Sequence, residues 1–142
     1  MLNPDRNLVE GAMTRTLPLA VDTSRLAVEM GAQILLVAPG EITLGYRIGD
    51  VFTQATGALQ GGAVAAMLDF GLAFAVLTLR CEGESASTLS LTINFLRPAL
   101  PGDFEVRARV ARSGRRVTYA EATLFDAAGD AVATATSPLL NI

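Results

Sequence analysis

One segment limits the folds open to this chain more than any other. Residues 61–79 read GGAVAAMLDFGLAFAVLTL, with Asp69 as the single charge. A helix this apolar all round cannot lie on a sheet with one side in water; a sheet must wrap it, or a second copy must cover it. A bilayer is the other environment that suits such a length. Against that, a lone carboxylate at the centre of a span is costly, and the flanking sequence is full of alternating strands that need their own partner face. No membrane span is expected.

The flanks supply the wrapping. Asp22-Thr23-Ser24 can cap a short helix running to about Met30, stopped by Gly31. Gln33 to Val37 is strand-like, Pro39-Gly40 is a turn, and Ile42, Leu44, Tyr46 and Ile48 alternate with Thr43, Gly45 and Arg47 as a half-buried strand. Residues 51–60 form a loop into the apolar helix. Beyond it, one strand is expected in which Leu89, Leu91, Ile93 and Phe95 face one way and Thr88, Ser90, Thr92 and Asn94 the other. Three more strands follow, around residues 104–110, 116–125 and 132–137, joined by turns at Ser113-Gly114 and Ala128-Gly129-Asp130. Short turns between consecutive strands imply an antiparallel sheet. The expectation is an α+β domain, an antiparallel sheet wrapped around one long central helix, spanning residues 1–142 with 1–20 as a loose lead-in.

Composition then narrows the chemistry. The chain contains no histidine, and all 11 basic residues are arginine. That removes histidine-based triads, metal sites and proton shuttles, and with lysine absent it removes Schiff-base chemistry. One cysteine, Cys81, allows neither an internal disulfide nor a thiolate metal cluster. Neither a metal nor a cofactor is expected. A net charge of -3 gives no electrostatic footprint for nucleic acid. The N-terminus mixes Asp5, Arg6, Glu10 and Arg15 with apolar residues and lacks the run of a signal peptide, so a soluble cytoplasmic protein is the default expectation. An enzyme built from this chain has to work with carboxylates, amides, hydroxyls, arginine and backbone dipoles.

Residues 54–69 bring those groups together. Gln54 opens the stretch QATGALQGG, Gly61-Gly62 begin the helix, and Asp69 follows seven residues after Gly62. The first amides of a helix lack intrahelical partners and carry the positive end of its dipole, and glycine lets a substrate approach the backbone. Such amides can polarise a carbonyl and hold the oxyanion formed on attack; equally, the two glycines serve tight turning and close packing. Asp69 sits among Ala66, Met67, Leu68, Phe70, Gly71 and Leu72. A carboxylate in such surroundings is either functional or paired from elsewhere in the fold, with Arg97 and Arg107 as candidate partners.

The same stretch resembles the hotdog-fold acyl-CoA thioesterases of the phenylacetate-degradation (PaaI-like) group, in element order and length from about Val37 to Leu140. Members of that family carry Asn or Gln at the first position, then G-x-x-H-G-G, then Asp or Glu on the helix. The resemblance implies that Asp69 acts as general base or nucleophile, that the Gly61 amide is the oxyanion donor (with Gly62 beside it), that Gln54 orients water or the thioester, and that Thr88 provides a hydroxyl near the carboxylate. Gln60 stands where relatives usually have histidine. An amide donates a hydrogen bond but carries no proton at neutral pH, which bears on the rate and range of any activity.

Geometry adds a constraint independent of the resemblance. Eight residues of helix separate Gly61 and Asp69 by about 12 Å along the axis, so both can serve one carbonyl only if Asp69 comes from a second copy running antiparallel. That predicts a two-fold homo-oligomer with two shared sites. Arg107, Arg109, Arg112, Arg115 and Arg116 cluster around the Ser113-Gly114 turn. Arg112, Arg115 and Arg116 in particular suit the phosphates of coenzyme A, and a solvated strand face would account for them equally. Acyl-CoA hydrolysis leads; hydrolysis of an acyl carrier protein thioester and acyl-CoA or lipid binding without turnover are the alternatives.

Overall fold

The structure, a computed structural model, describes residues 2–142. The apolar segment forms helix α3, Gly61–Leu77, as its composition demands. Around it lie α1 (Pro4–Ala12), β1 (Leu19–Ala20), α2 (Arg25–Glu29), β2 (Gln33–Ala38) and β3 (Glu41–Ile48) on the N-terminal side. On the C-terminal side follow β4 (Ala86–Thr88), β5 (Thr92–Phe95), β6 (Gly102–Ser113), β7 (Val117–Asp126) and β8 (Ala131–Asn141). The strands form one antiparallel sheet in the order β1-β2-β3-β6-β7-β8-β4, with β5 also paired to β8. Its concave face holds α3, which packs on β3, β6, β7 and β8. This is the hotdog arrangement.

Period-two alternation puts Leu44, Tyr46, Val106, Ala122, Leu124 and Leu139 on the buried face of the sheet. Val64, Met67, Leu68, Gly71, Leu72 and Ala75 meet them from the helix. Gly71 sets the closeness of approach: a Cβ there would stand 2.8 Å and 2.9 Å from the two γ-methyls of Val106. The Tyr46 hydroxyl, buried beneath the helix, donates to the Met67 carbonyl oxygen at 2.9 Å and pins the turn that carries Asp69.

Two local expectations fail, each for a physical reason. The lead-in expected over 1–20 is not loose from residue 2 onward. Asn3 accepts from the Asp5 and Arg6 amides, Pro4 occupies the first turn, and helix α1 follows. α1 lies against α3, and its buried Arg6 donates from Nε to the Arg80 carbonyl at 3.1 Å, just past the end of that helix. Nor is residues 88–95 one strand. Thr88 pairs with Leu139 and Thr92 with Thr136, so four steps on one side match three on the other. The extra residue is a bulge, held by Ser137 Oγ donating to the Ser90 carbonyl at 2.6 Å. It shifts the alternation by one, turning Thr88 inward on the same face as Ile93 and leaving Leu89 exposed.

Candidate active site

The bulge decides what Asp69 meets. Opposite the sheet, Gly62, Ala65, Ala66, Asp69 and Ala73 fall on one stripe of α3 at the 3.6-residue period, and none of them is fully buried. Thr88, turned inward, donates from Oγ1 to Asp69 Oδ1 at 2.8 Å. Arginine pairing is ruled out: Arg97 binds Asp130 at 3.2 Å and Arg107 binds Glu105 at 3.3 Å. Asp69 is half-buried rather than sealed in the core, so its second oxygen remains reachable. The neighbouring Tyr46 phenol is held well above its ordinary pKa, chiefly by burial and further by the Asp69 carboxylate.

The other end of the stripe is built by the loop into α3. The Gln54 amide donates to Ala58 O at 2.8 Å, Gly57 takes φ +85°, Gln60 N–H bonds Phe52 O at 2.9 Å, and Leu59 N–H bonds Ala99 O at 2.7 Å. This fastens the start of the helix to both sides of the loop. Gln60 is the N-cap, and its side-chain oxygen accepts from the Gly62 amide. Gly62 N–H is thereby occupied, whereas Gly61 N–H has no hydrogen-bond partner among the described residues. The Phe95 ring lies beside Gly61, 3.5 Å from where a Cβ would stand. Gln54 is exposed on the loop, and its side chain makes no hydrogen bond to Asp69 or Gln60.

Other parts of the expected site are further apart. Met67 and Phe74 on α3 are fully buried in the core under the sheet. Phe70 is half-buried, with its ring edge-on to Phe74 at 6.0 Å. The arginine cluster splits. Arg107 and Arg109 lie on the outer face of the sheet, paired with Glu105 and Glu121, and Arg107 stacks on Phe125 at 4.4 Å. Arg112, Arg115 and Arg116 are exposed at the turn and make no salt bridge among the described residues. That turn touches the far end of α3, Arg80 donating to Ser113 Oγ at 3.4 Å. Within one chain it lies at the opposite end of the helix from Gly61. Sequence reasoning missed a cavity of about 380 Å³ between α2, the 3-10 turn Asp50–Phe52 and the first turns of α3. Its walls come from three separate segments, so no local pattern announces it. Among the described residues no group of acidic and cysteine side chains is placed to hold a metal, and no helix is long and apolar enough to cross a membrane.

The sequence model of the thioesterase superfamily matches residues 56–133, which include Gly61, Asp69 and Thr88. The chain belongs to the thioesterase superfamily. Among curated superfamily relatives, a presumptive esterase of Saccharolobus solfataricus is 30% identical over 97 residues, 68% of this chain and 64% of that protein. The match thus spans just under two thirds of that relative's length. Among solved structures, a presumptive thioesterase from Ralstonia eutropha, a phenylacetic acid degradation-related protein, aligns with a TM-score of 0.81 at 34% identity, covering 97% of this chain and 99% of that chain. A Streptococcus mutans protein solved bound to acetyl CoA aligns with a TM-score of 0.73 at 20% identity, covering 78% of this chain and 88% of that one, and shares the fold.

Proposed function

We propose that the protein hydrolyses acyl-CoA thioesters as a two-fold dimer, with each site built from the Gly61 amide of one copy and the Asp69 carboxylate of the other. The observation that carries this reading is the arrangement on α3. An open Gly61 amide and a Thr88-held carboxylate stand about 12 Å apart along the helix axis, with the small-residue face of Gly62, Ala65 and Ala66 between them. Small residues line that face and allow a second α3 to approach closely. Placing the partner's Asp69 opposite Gly61 puts the two-fold axis near residue 65, and both pairs form at once.

The same placement gives the arginines a use. With the axis at residue 65, Arg80 of the second copy maps about 16 Å beyond Gly61 along the helix direction, and the Arg112, Arg115 and Arg116 turn travels with it. One copy would therefore supply the carboxylate and the phosphate contacts, and the other the oxyanion donor. An extended pantetheine arm spans a gap of this order.

In the chemical step, water held by Asp69 attacks the thioester carbonyl carbon and Asp69 takes its proton. The carbonyl oxygen becomes an oxyanion on Gly61 N–H at the positive end of the helix dipole. Collapse breaks the carbon–sulfur bond, and the departing thiolate receives the proton from Asp69. Direct attack by Asp69 through a mixed anhydride uses the same atoms, with water entering in a second step. Thr88 fixes the carboxylate in either case. Gln54 and the free amide of Gln60 line the approach to Gly61 and orient the thioester.

A second reading, acyl-CoA binding without turnover, is favoured by Gln60, whose oxygen is tied up capping the helix and which has no transferable proton. A thiol-release assay over short, long and aromatic acyl-CoAs separates the two, run on the wild type and on Asp69→Asn. Release by the wild type that is lost in a still-dimeric Asp69→Asn supports hydrolysis. Binding without release favours the second reading, and full activity in Asp69→Asn refutes the assignment of Asp69.

A further inference from the structure

The cavity beside the start of α3 has a polarity that runs in one direction. Its polar lining, Thr53, Gln60 and Gly62, comes from the segment leading into the helix. The rest is apolar: Met30, fully buried, Phe52, and Ala63 and Ala66, one turn apart on α3. Leu26 and Val51 stand exposed beside it. No ionisable side chain lines the space. Thr53 Oγ1 donates to Asp50 O at 2.7 Å and Gln60 Oε1 holds the Gly62 amide, so the polar groups left free, the Gln60 side-chain N–H2 and the Thr53 oxygen as acceptor, both belong to the end at the start of the helix. A volume of about 380 Å³ falls within the ~300–1,000 Å³ of small-molecule sites.

We propose that this cavity holds the acyl group, that it selects acyl chains apolar to their tip, and that Ala63 sets the length admitted. The proposal rests on the Gly61-centred reading above. A carbonyl held at the start of α3 has its acyl tail beside Gly62, and the adjoining apolar space lies between α2 and α3. Beyond that end the lining is Met30, Phe52, Ala63 and Ala66, which gives a hydroxyl or carboxylate at the tip of the tail no partner, so a polar tip would be buried unsatisfied. Ala63, which lies off the stripe facing the second copy, leaves open volume that a larger side chain would fill. Leucine propagates a helix nearly as well as alanine, so enlarging it leaves the helix intact.

The test compares kcat/KM for acetyl-CoA, octanoyl-CoA and 8-hydroxyoctanoyl-CoA in the wild type and Ala63→Leu. The wild type is expected to favour octanoyl over its hydroxylated analogue by about tenfold or more. Ala63→Leu is expected to lose about tenfold or more on octanoyl with a much smaller loss on acetyl. Equal use of the two eight-carbon substrates overturns the proposal, as does a loss in Ala63→Leu that falls equally on acetyl and octanoyl. If the wild type releases thiol from none of them, the catalytic reading fails by itself. The cavity is then judged by calorimetry with the thioether S-octyl-CoA: tighter binding than CoA, weakened in Ala63→Leu, sustains it, and equal binding of the two ligands overturns it.

Discussion

Gly71 is where the central helix presses hardest on the sheet, and Gly71→Ala measures how firmly that contact seats Asp69 two residues away. The new methyl would stand 2.8 Å and 2.9 Å from the Val106 γ-carbons, where about 3.5–4.0 Å is comfortable. Helix or strand must therefore yield by roughly 0.7 Å. Val106 is fully buried, β-branched and central to β6, paired to both neighbours, so it cannot rotate away cheaply. Overpacking of this kind costs about 2–3 kcal/mol, the upper part of its usual range, because both methyls are struck. Replacing glycine by alanine in a helix returns about 1 kcal/mol. The net expectation is a loss of about 1–2 kcal/mol. Val106→Ala alone should cost about 2 kcal/mol for two buried methyls and the space they leave. Combined, the changes should fall short of additivity by about 2 kcal/mol, since the alanine at 71 then occupies the vacated volume. Urea unfolding of all four proteins at one protein concentration reads this directly, because the stability of the proposed dimer depends on concentration. A Gly71→Ala protein more stable than wild type, or a cycle additive within about 0.5 kcal/mol, would show that α3 does not bear on the sheet as described.

Other consequences are as specific. Thr88→Val keeps the shape and removes the hydroxyl bond to Asp69; kcat should fall about tenfold to a hundredfold with KM little changed, because bonds to charged groups are worth about 1.5–3 kcal/mol. Tyr46→Phe should cost about 1 kcal/mol near neutral pH through the lost bond to Met67 O. Its pH dependence has a definite sign. The folded phenol pKa is raised, so the unfolded chain loses this proton first, above pH ~10. Stability from Tyr46 is full below that pH and is lost as pH rises towards the folded value, by up to about 1.4 kcal/mol per unit, and Tyr46→Phe should flatten that fall in alkaline urea titrations. Arg115→Ala/Arg116→Ala should raise KM for acyl-CoA and remove the salt dependence of inhibition by free CoA, with kcat preserved.

Most of the fold was legible because two periods dominate this sequence. The run 61–79 has apolar residues at every angle, which forces a wrapped helix, and 41–48 and 102–126 alternate cleanly enough to fix which face is buried. Ser24 and Gly31 bounded α2 as their chemistry requires, Ser24 accepting from Ala27 N–H and Gly31 taking φ +60°. The failures came where the signal is not periodic. A bulge between Thr88 and Thr92 is invisible to an alternation count, yet it turns Thr88 towards Asp69. The signal for α1 was present in Asn3-Pro4-Asp5, an N-cap followed by proline in the first turn. At the candidate site, residue types and spacing singled out Asp69 and Gly61, but which of the Gly61 and Gly62 amides is left unpartnered depends on where the Gln60 side chain points, which spacing does not encode. The five nearby arginines looked like one cluster in the sequence. In space, strand alternation sends Arg107 and Arg109 to the outer face and leaves the other three at the turn.

The central claim is that each site draws Gly61 from one copy and Asp69 from the other, and complementation tests it most directly. Asp69→Asn spoils the carboxylate, and Gly61→Val places a branched side chain over the oxyanion position, where the nearest atoms, on the Phe95 ring, leave ordinary contact distance for a Cβ. Each variant alone should be inactive on acyl-CoA. In a mixed dimer, one site keeps an intact Gly61 and an intact Asp69, while the other carries both changes. Equal amounts of the two, unfolded and refolded together, should therefore regain about a quarter of wild-type activity, since random pairing gives half mixed dimers with one working site each. A mixture as inactive as its components, with mixed dimers demonstrated to form, would contradict the shared site.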